Sequence, residues 1–221
     1  MVAVGIGAAL FFVLGRFVAI PSPVPNTNIS LQYAVLALLA TMYGPVAGGL
    51  IGFIGHALID LSWGGSPWWS WVITSAFVGV VIGLFAKKLD VQEGEFGKGK
   101  VAVFVVANVI AHVIGWVVVA PVLDILIYAE PANKVFAQGV FAAVSNTVTG
   151  VIVGGLLVLA YTKTIARRVP WIRNKIWSCC SQVFMQKWTA SEKPSHVAYM
   201  ACGKAFSIVD QIVFLNCFCS Y

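Results

Sequence analysis

The chain has 221 residues, 60% of them hydrophobic and only 10% charged, with a mean hydropathy of +0.91. A soluble domain carries roughly 25% charged residues, so this is an integral membrane protein without a large soluble domain. The formal net charge is +6, and all of it lies after residue 160: residues 1–160 balance Arg16, Lys87, Lys88, Lys98, Lys100 and Lys134 against Asp60, Asp90, Glu93, Glu95, Asp124 and Glu130. A basic end beside a membrane suits a cytoplasmic face with anionic lipid rather than a nucleic acid.

The first apolar run, Val2 to Ile20, lacks the basic n-region and small-x-small cleavage site of a secretion signal, and more membrane follows at once, so it reads as a span. A span takes roughly 20 apolar residues, fewer when neighbours shield it. Six follow in chain order, at about 2–20, 31–43, 45–61, 69–86, 101–128 and 135–162. The short second span is tilted or shielded, and it joins the third through the tight "MYGPVAGG". Pro45 there disfavours helix at Gly44 and suits the start of a new helix. The breaks are "PSPVPNTNIS", "WGGSP", "KKLDVQEGEFGKGK" and "EPANK". The expected fold is all-α and polytopic, with six transmembrane helices and both termini cytoplasmic.

Orientation follows from Lys and Arg in the short loops. The loop 87–100 holds four lysines, and Lys163, Arg167 and Arg168 follow the last span. The loops 21–30 and 62–68 hold none, and 129–134 holds Lys134. The basic loops belong inside, so the other three face outward.

Depth then sorts the polar residues. Arg16, His56, Asp60, Asp124, Gln138 and Asn146 sit toward the outward ends of their spans, and Asn108, His112 and Trp116 near the middle of the fifth. Charged groups in a bilayer cost several kcal/mol unless paired or hydrated, and so mark function. This one-sided distribution predicts a pocket open to the outside. A proton relay or a channel needs polar groups through both halves.

The stretch 54–71, "IGHALIDLSWGGSPWWSW", lies at the outer mouth. His56 and Asp60 are four apart, on one helix face. Trp63, Trp68, Trp69 and Trp71 are dense for an interfacial belt alone. They suit a stacking wall for a flat, partly polar ligand, with Asp60 and His56 orienting it or its loop. The plainer alternative is a cap or ion pair beside a belt. "PSPVPNTNIS", with Asn26, Thr27 and Asn28, reads as a lid or a plain connection, and Asn146 in "VSNTVTG" as a ligand contact or helix–helix glue. The candidate substrate-binding residues are Asn28, His56, Asp60, Trp63, Trp68, Trp69, His112, Trp116 and Asn146, with no catalytic or metal-ligating set. Small residues stand four apart on the first span, at Ala3/Gly7 and Gly5/Ala9, a pattern for close helix packing within the chain or with a partner.

The string "NTNISLQYAVLALLATMYGPVAGGLIGFIGHALIDLSWGGSPWWSWVI" resembles the S components of energy-coupling factor (ECF) vitamin transporters, and within them the hydroxymethylpyrimidine-type subgroup. The likeness runs from about residue 2 to 170. It implies a non-catalytic, substrate-capturing subunit in the bacterial cell membrane. Its partners would be an EcfT-type transmembrane coupling subunit and two cytoplasmic ATPases. This chain shows no GxxxxGK[ST] motif, so no cofactor is expected in it, and ATP and Mg would bind the ATPases. The resemblance implies hydroxymethylpyrimidine as substrate, or next a pyridoxine-like vitamer. It also implies docking of the coupling subunit through an Ala-xxx-Ala-type surface on the first helix. Here Ala3/Gly7 and Gly5/Ala9 both stand in for it, since the Ala-xxx-Ala match itself is missing.

Two domains are expected: a six-helix membrane domain over 1–170 and a tail over 171–221. The tail holds all five cysteines, too irregularly spaced for a zinc framework, and reads as a frameshifted or non-native end, with a functional tail as the alternative. The rival function is a stand-alone proton-coupled transporter of a small heterocycle. It calls for an ionisable residue in the inner half, which the sequence does not offer.

Overall fold

The computed structural model describes residues 2–166. The expected tail, 171–221, lies outside them. Helix α1 spans Val2–Phe17. It ends before the expected residue 20 because the chain turns into a two-strand ribbon, β1 (Ile20–Pro21) against β2 (Asn28–Ile29). The strands are antiparallel, with Ile20 opposite Ile29 and Pro21 opposite Asn28. This ribbon is the departure from a purely helical fold.

Helix α2 spans Gln32–Ser62 and holds Pro45 inside it. Gly44 leaves the helical region there, at φ 85° and ψ −174°, a conformation that glycine tolerates and other residues rarely adopt. The chain reverses at this point. A Cβ on Gly48 would lie 2.8 Å from the Ala40 Cβ, whereas eight residues of straight helix rise about 12 Å. Gly7 of α1 faces Leu39 and Ile51, and Gly15 faces Gln32 and Ile59. Along α1, one limb therefore runs from 39 back to 32 while the other runs from 51 up to 59. The limbs 32–43 and 45–62 are antiparallel and stand where the second and third spans are expected.

Helix α3 covers Trp69–Leu84, and a turn at Phe85 leads into α4 (Ala86–Leu89) and a 3₁₀ turn at Val91–Glu93. Helix α5 (Lys98–Val113) passes through a π-helical stretch, Ile114–Val119, into α6 (Ala120–Tyr128). Helix α7 (Ala132–Thr149) enters a second π-helical stretch at Gly150–Gly154 and continues to residue 166. By length and composition, four helical segments are apolar enough to cross a membrane: Gln32–Ser62 counted over both of its limbs, Trp69–Leu89, Lys98–Tyr128 and Ala132–Ala166. Val2–Phe17 is apolar but shorter.

Apolar side chains such as Leu126, Val144 and Leu156 cover the outside, as hydrocarbon surroundings allow. Phe11, Tyr33, Leu36, Ile51, Val78, Ile82, Phe104 and Trp116 fill the interior. Glycines set the closest crossing. A Cβ on Gly52 would collide with the Ser75 carbonyl, and one on Gly48 with that of Gly79, so α2 and α3 touch backbone to backbone. This contact brings Ser75 beside His56, one turn beyond Gly52.

Candidate functional site

A cavity of about 320 Å³ opens at the end of the bundle where α1 stops, α2 begins and ends, and α3 begins. The first loop covers it with Asn26, Thr27, Asn28 and Ser30. The loop has internal structure: Ser22 Oγ bonds Val24, and Thr27 N–H donates to the Val24 carbonyl at 3.3 Å. Its tip is held to α7, where Gln138 Nε2 donates to the Pro25 carbonyl at 2.8 Å.

The walls are aromatic and polar together. Trp71 meets Trp116 edge-on at 5.3 Å, and Tyr33 meets Trp116 edge-on at 5.8 Å. Trp116 is 1% exposed, and its Nε1 has no hydrogen-bond partner among the described residues. Gln32, Tyr33 and Asn146 add amide and hydroxyl groups. At the rim, the Arg16 guanidinium lies 3.7 Å from the centroid of Trp63, a cation–π contact joining the end of α1 to the loop after α2.

His56 and Asp60 stand at the junction with a second cavity of about 220 Å³. His56 Nε2 is 3.8 Å from Asp60 Oδ1, and His56 Nδ1 is 2.5 Å from Ser75 Oγ. Ser75 Oγ also bonds the Tyr33 hydroxyl at 2.7 Å. The other Asp60 oxygen, Oδ2, accepts the Trp68 backbone N–H at 2.8 Å and so caps the start of α3. Trp68, Trp71, Asp124 and Gln138 line the second cavity, with the Glu130–Lys134 ion pair at 2.8 Å. Among the described residues no cluster of three or more His, Cys, Asp or Glu could hold a metal ion. The arrangement can enclose a flat molecule between aromatic faces and meet its polar edge with amide, carboxylate and imidazole groups.

The sequence matches the family described as ECF-type riboflavin transporter, S component, over residues 1–163. The chain belongs to this family. It is 56% identical over 164 residues to a UPF0397 protein of Exiguobacterium sp., covering 74% of this chain and 90% of that one. A UPF0397 protein of Enterococcus faecalis is 50% identical over 168 residues, covering 76% and 92%, and one of Lacticaseibacillus casei is 47% identical over 167 residues, covering 76% and 90%. S components are membrane-embedded, generally non-catalytic substrate-binding subunits that work with an EcfT-type subunit and ATPases.

In this S component, Asn28, His56, Asp60, Trp63, Trp116 and Asn146 of the expected set line the larger cavity, and Trp68 lines the smaller. Two expected residues line neither. Trp69 is 44% exposed and stacks on Phe53, because the first turn of α3 points it away from the bundle. His112 is fully buried behind Tyr33, edge-on at 5.2 Å, and neither ring nitrogen has a partner among the described residues. On α1, Gly7 packs under Leu39 and Ile51, whereas Gly5 and Ala9 are exposed and Ala3 is half-buried.

Gln32, Tyr33 and Ser75 go unnoticed in the sequence. Tyr33 carried a usable signal: a phenol at the end of its helix next to the polar loop that holds Asn28. Ser75 carried none, since a serine inside a span reads as helix–helix glue.

Proposed function

We propose that this S component captures a small water-soluble vitamin or precursor from outside the cell. It would deliver the ligand through an EcfT-type coupling subunit driven by two ATPases. In this reading α1, the two limbs of α2, α3, α5–α6 and α7 make six crossings with both termini cytoplasmic. The site residues are those that line the two cavities. The substrate is a flat nitrogen heterocycle with hydroxymethyl groups, hydroxymethylpyrimidine first and a pyridoxine-like vitamer next. One observation carries this: the cavity sets the aromatic side chains of Tyr33, Trp71 and Trp116 beside the polar groups of Asn28, Gln32, Asp60 and Asn146. Aromatic walls with a few placed polar groups suit a flat heterocycle that carries polar substituents on its edge.

A second reading is riboflavin, the vitamin in the family's description. It is favoured by the second cavity, which shares Asn26, His56, Asp60 and Trp71 with the first and gives room for a larger ring system with a polyol chain.

Titrating the purified protein with hydroxymethylpyrimidine, pyridoxine and riboflavin, followed by tryptophan fluorescence, separates these readings. Riboflavin binding alone would replace the first with the second. Uptake into liposomes, with and without the coupling and ATPase subunits, tests the importer. ATP-independent accumulation by the single chain would favour the stand-alone proton-coupled transporter.

A further inference from the structure

We infer that Ser75 is a positioning residue. It fixes His56 as the neutral tautomer with its proton on Nε2, and the cavity thereby recognises an aminopyrimidine edge, a ring nitrogen flanked by an amino group. The inference deepens the vitamin-capture reading and rests on it for the ligand.

The argument starts from what one serine hydroxyl can do. It has a single proton to donate and lone pairs to accept with. Ser75 is fully buried and meets two groups, Tyr33 Oη at 2.7 Å and His56 Nδ1 at 2.5 Å. Its proton therefore goes to one of them, and the other donates to it. If Ser75 donates to Tyr33, the proton of His56 sits on Nδ1, and Nε2 turns a bare lone pair toward Asp60 Oδ1, 3.8 Å away. Two electron-rich atoms then face each other beside the cavity. If Tyr33 donates to Ser75 and Ser75 donates to Nδ1, Nε2 carries the proton and points an N–H at the carboxylate. The second arrangement gives the Tyr33 and Ser75 hydroxyls an acceptor each and replaces repulsion with attraction. At 3.8 Å the Nε2–H and Oδ1 are too far apart to hydrogen-bond, so both stay free for a ligand. The hydrogen bond on one ring nitrogen thus decides which atom the other presents.

The two oxygens of Asp60 divide the work. Oδ2 is occupied by the Trp68 backbone N–H. Oδ1 remains beside His56 Nε2, and both residues line both cavities. The pair therefore offers a donor next to an acceptor. Its complement is an acceptor next to a donor on one edge of a flat ring. A pyrimidine nitrogen beside an exocyclic amino group has that pattern. A pyridoxine ring nitrogen, flanked by a methyl-bearing carbon and a C–H, lacks the adjacent donor.

The test uses the full chain in nanodiscs. Nitrogen-15 NMR of histidine-labelled protein, with His56→Gln for assignment, reads the tautomer of His56. Calorimetry compares hydroxymethylpyrimidine with the same pyrimidine lacking its amino group, in wild type, Ser75→Ala and Ser75→Thr. The expected result is the Nε2–H tautomer and a preference for the amino compound of roughly tenfold or more. Ser75→Ala should shift the tautomer and lose most of that preference, and Ser75→Thr should restore both. An Nδ1–H tautomer or an imidazolium in the wild type overturns the inference, even if Ser75→Ala fails to fold. So does discrimination that survives in a folded Ser75→Ala. If no heterocycle binds while the Nε2–H tautomer is present, the vitamin reading and the ligand edge fall together, and only the role of Ser75 at His56 stands.

Discussion

Trp71 Nε1 donates to Asp124 Oδ2 at 3.0 Å, tying the first turn of α3 to α6 at the wall of the cavity. Asp124 Oδ1 takes two more donors, Trp68 Nε1 at 2.6 Å and the Ser70 hydroxyl. Asp124 is 3% exposed, so three neutral donors stand in for the water it has lost. Asp124→Asn replaces one acceptor oxygen with an NH₂ group and leaves at least one donor unmet. The expected loss is about 1–3 kcal/mol of stability. Ligand affinity should fall too, because the indoles of Trp68 and Trp71 lose their fixed tilt. Thermal unfolding in detergent and ligand titration measure the two effects. An Asn variant equal to wild type in both would show that the carboxylate does not hold the wall.

The tryptophans separate by position. Trp71 lines both cavities, whereas Trp69 lies outside on Phe53. Losing one stacked aromatic face costs ~1–3 kcal/mol, measured for nucleic-acid bases. That is roughly a 5- to 150-fold rise in Kd. Trp71→Phe, which keeps an aromatic face but removes the N–H to Asp124, should lose less affinity than Trp71→Ala. Trp69→Ala should bind as wild type does. Equal effects of Trp69→Ala and Trp71→Ala on Kd would mean that the belt, rather than the cavity wall, sets affinity.

Much of this was legible in the sequence because the bilayer restricts what a chain can do. Apolar runs and lysine-rich loops mark the helices, and their place at one end of the spans marks His56, Asp60 and Asn146. The side facing the cavity was not legible. Trp68, Trp69 and Trp71 are near neighbours in sequence, and only the 100° step of the α3 helix and the hold of Asp124 decide which indole turns inward. Ser75 was invisible for a related reason. Its role depends on Gly52 letting α3 approach α2, a contact between segments with no sequence signature of pairing. The ribbon after α1 was hidden by prolines, which mark a break but do not say that Ile20 will pair with Ile29.

His112 provides a prediction of opposite sign. Its ring is fully buried, lines neither cavity, and has no hydrogen-bond partner at either nitrogen among the described residues. Leucine is close to histidine in volume and carries no polar atoms to satisfy. His112→Leu should therefore be neutral or stabilising, by an amount on the order of 1 kcal/mol, after the lost edge-on contact with Tyr33 is offset. Ligand affinity should not change. Unfolding temperature and titration test this together. A marked loss of affinity at unchanged stability would return His112 to the binding site.

The last prediction concerns α1, where Gly5/Ala9 and Ala3/Gly7 are the two candidate pairs for docking a coupling subunit. Gly5 and Ala9 are exposed on one face, together with Ile6, Leu10 and Val13. Gly7 faces inward, and a Cβ there would lie 2.7 Å from both Ile51 and Leu39. Bulk at the two sites should therefore fail in different ways. Gly5→Leu and Ala9→Leu should leave folding and ligand affinity intact while weakening assembly with the coupling subunit, since small residues let helix backbones approach. Gly7→Leu should instead lower stability by about 1–3 kcal/mol or more through overpacking, before any partner is added. Size-exclusion profiles of the single chain and co-purification with the coupling subunit separate the two outcomes. If Gly5→Leu and Ala9→Leu assemble normally, the coupling subunit docks on a different face of the S component.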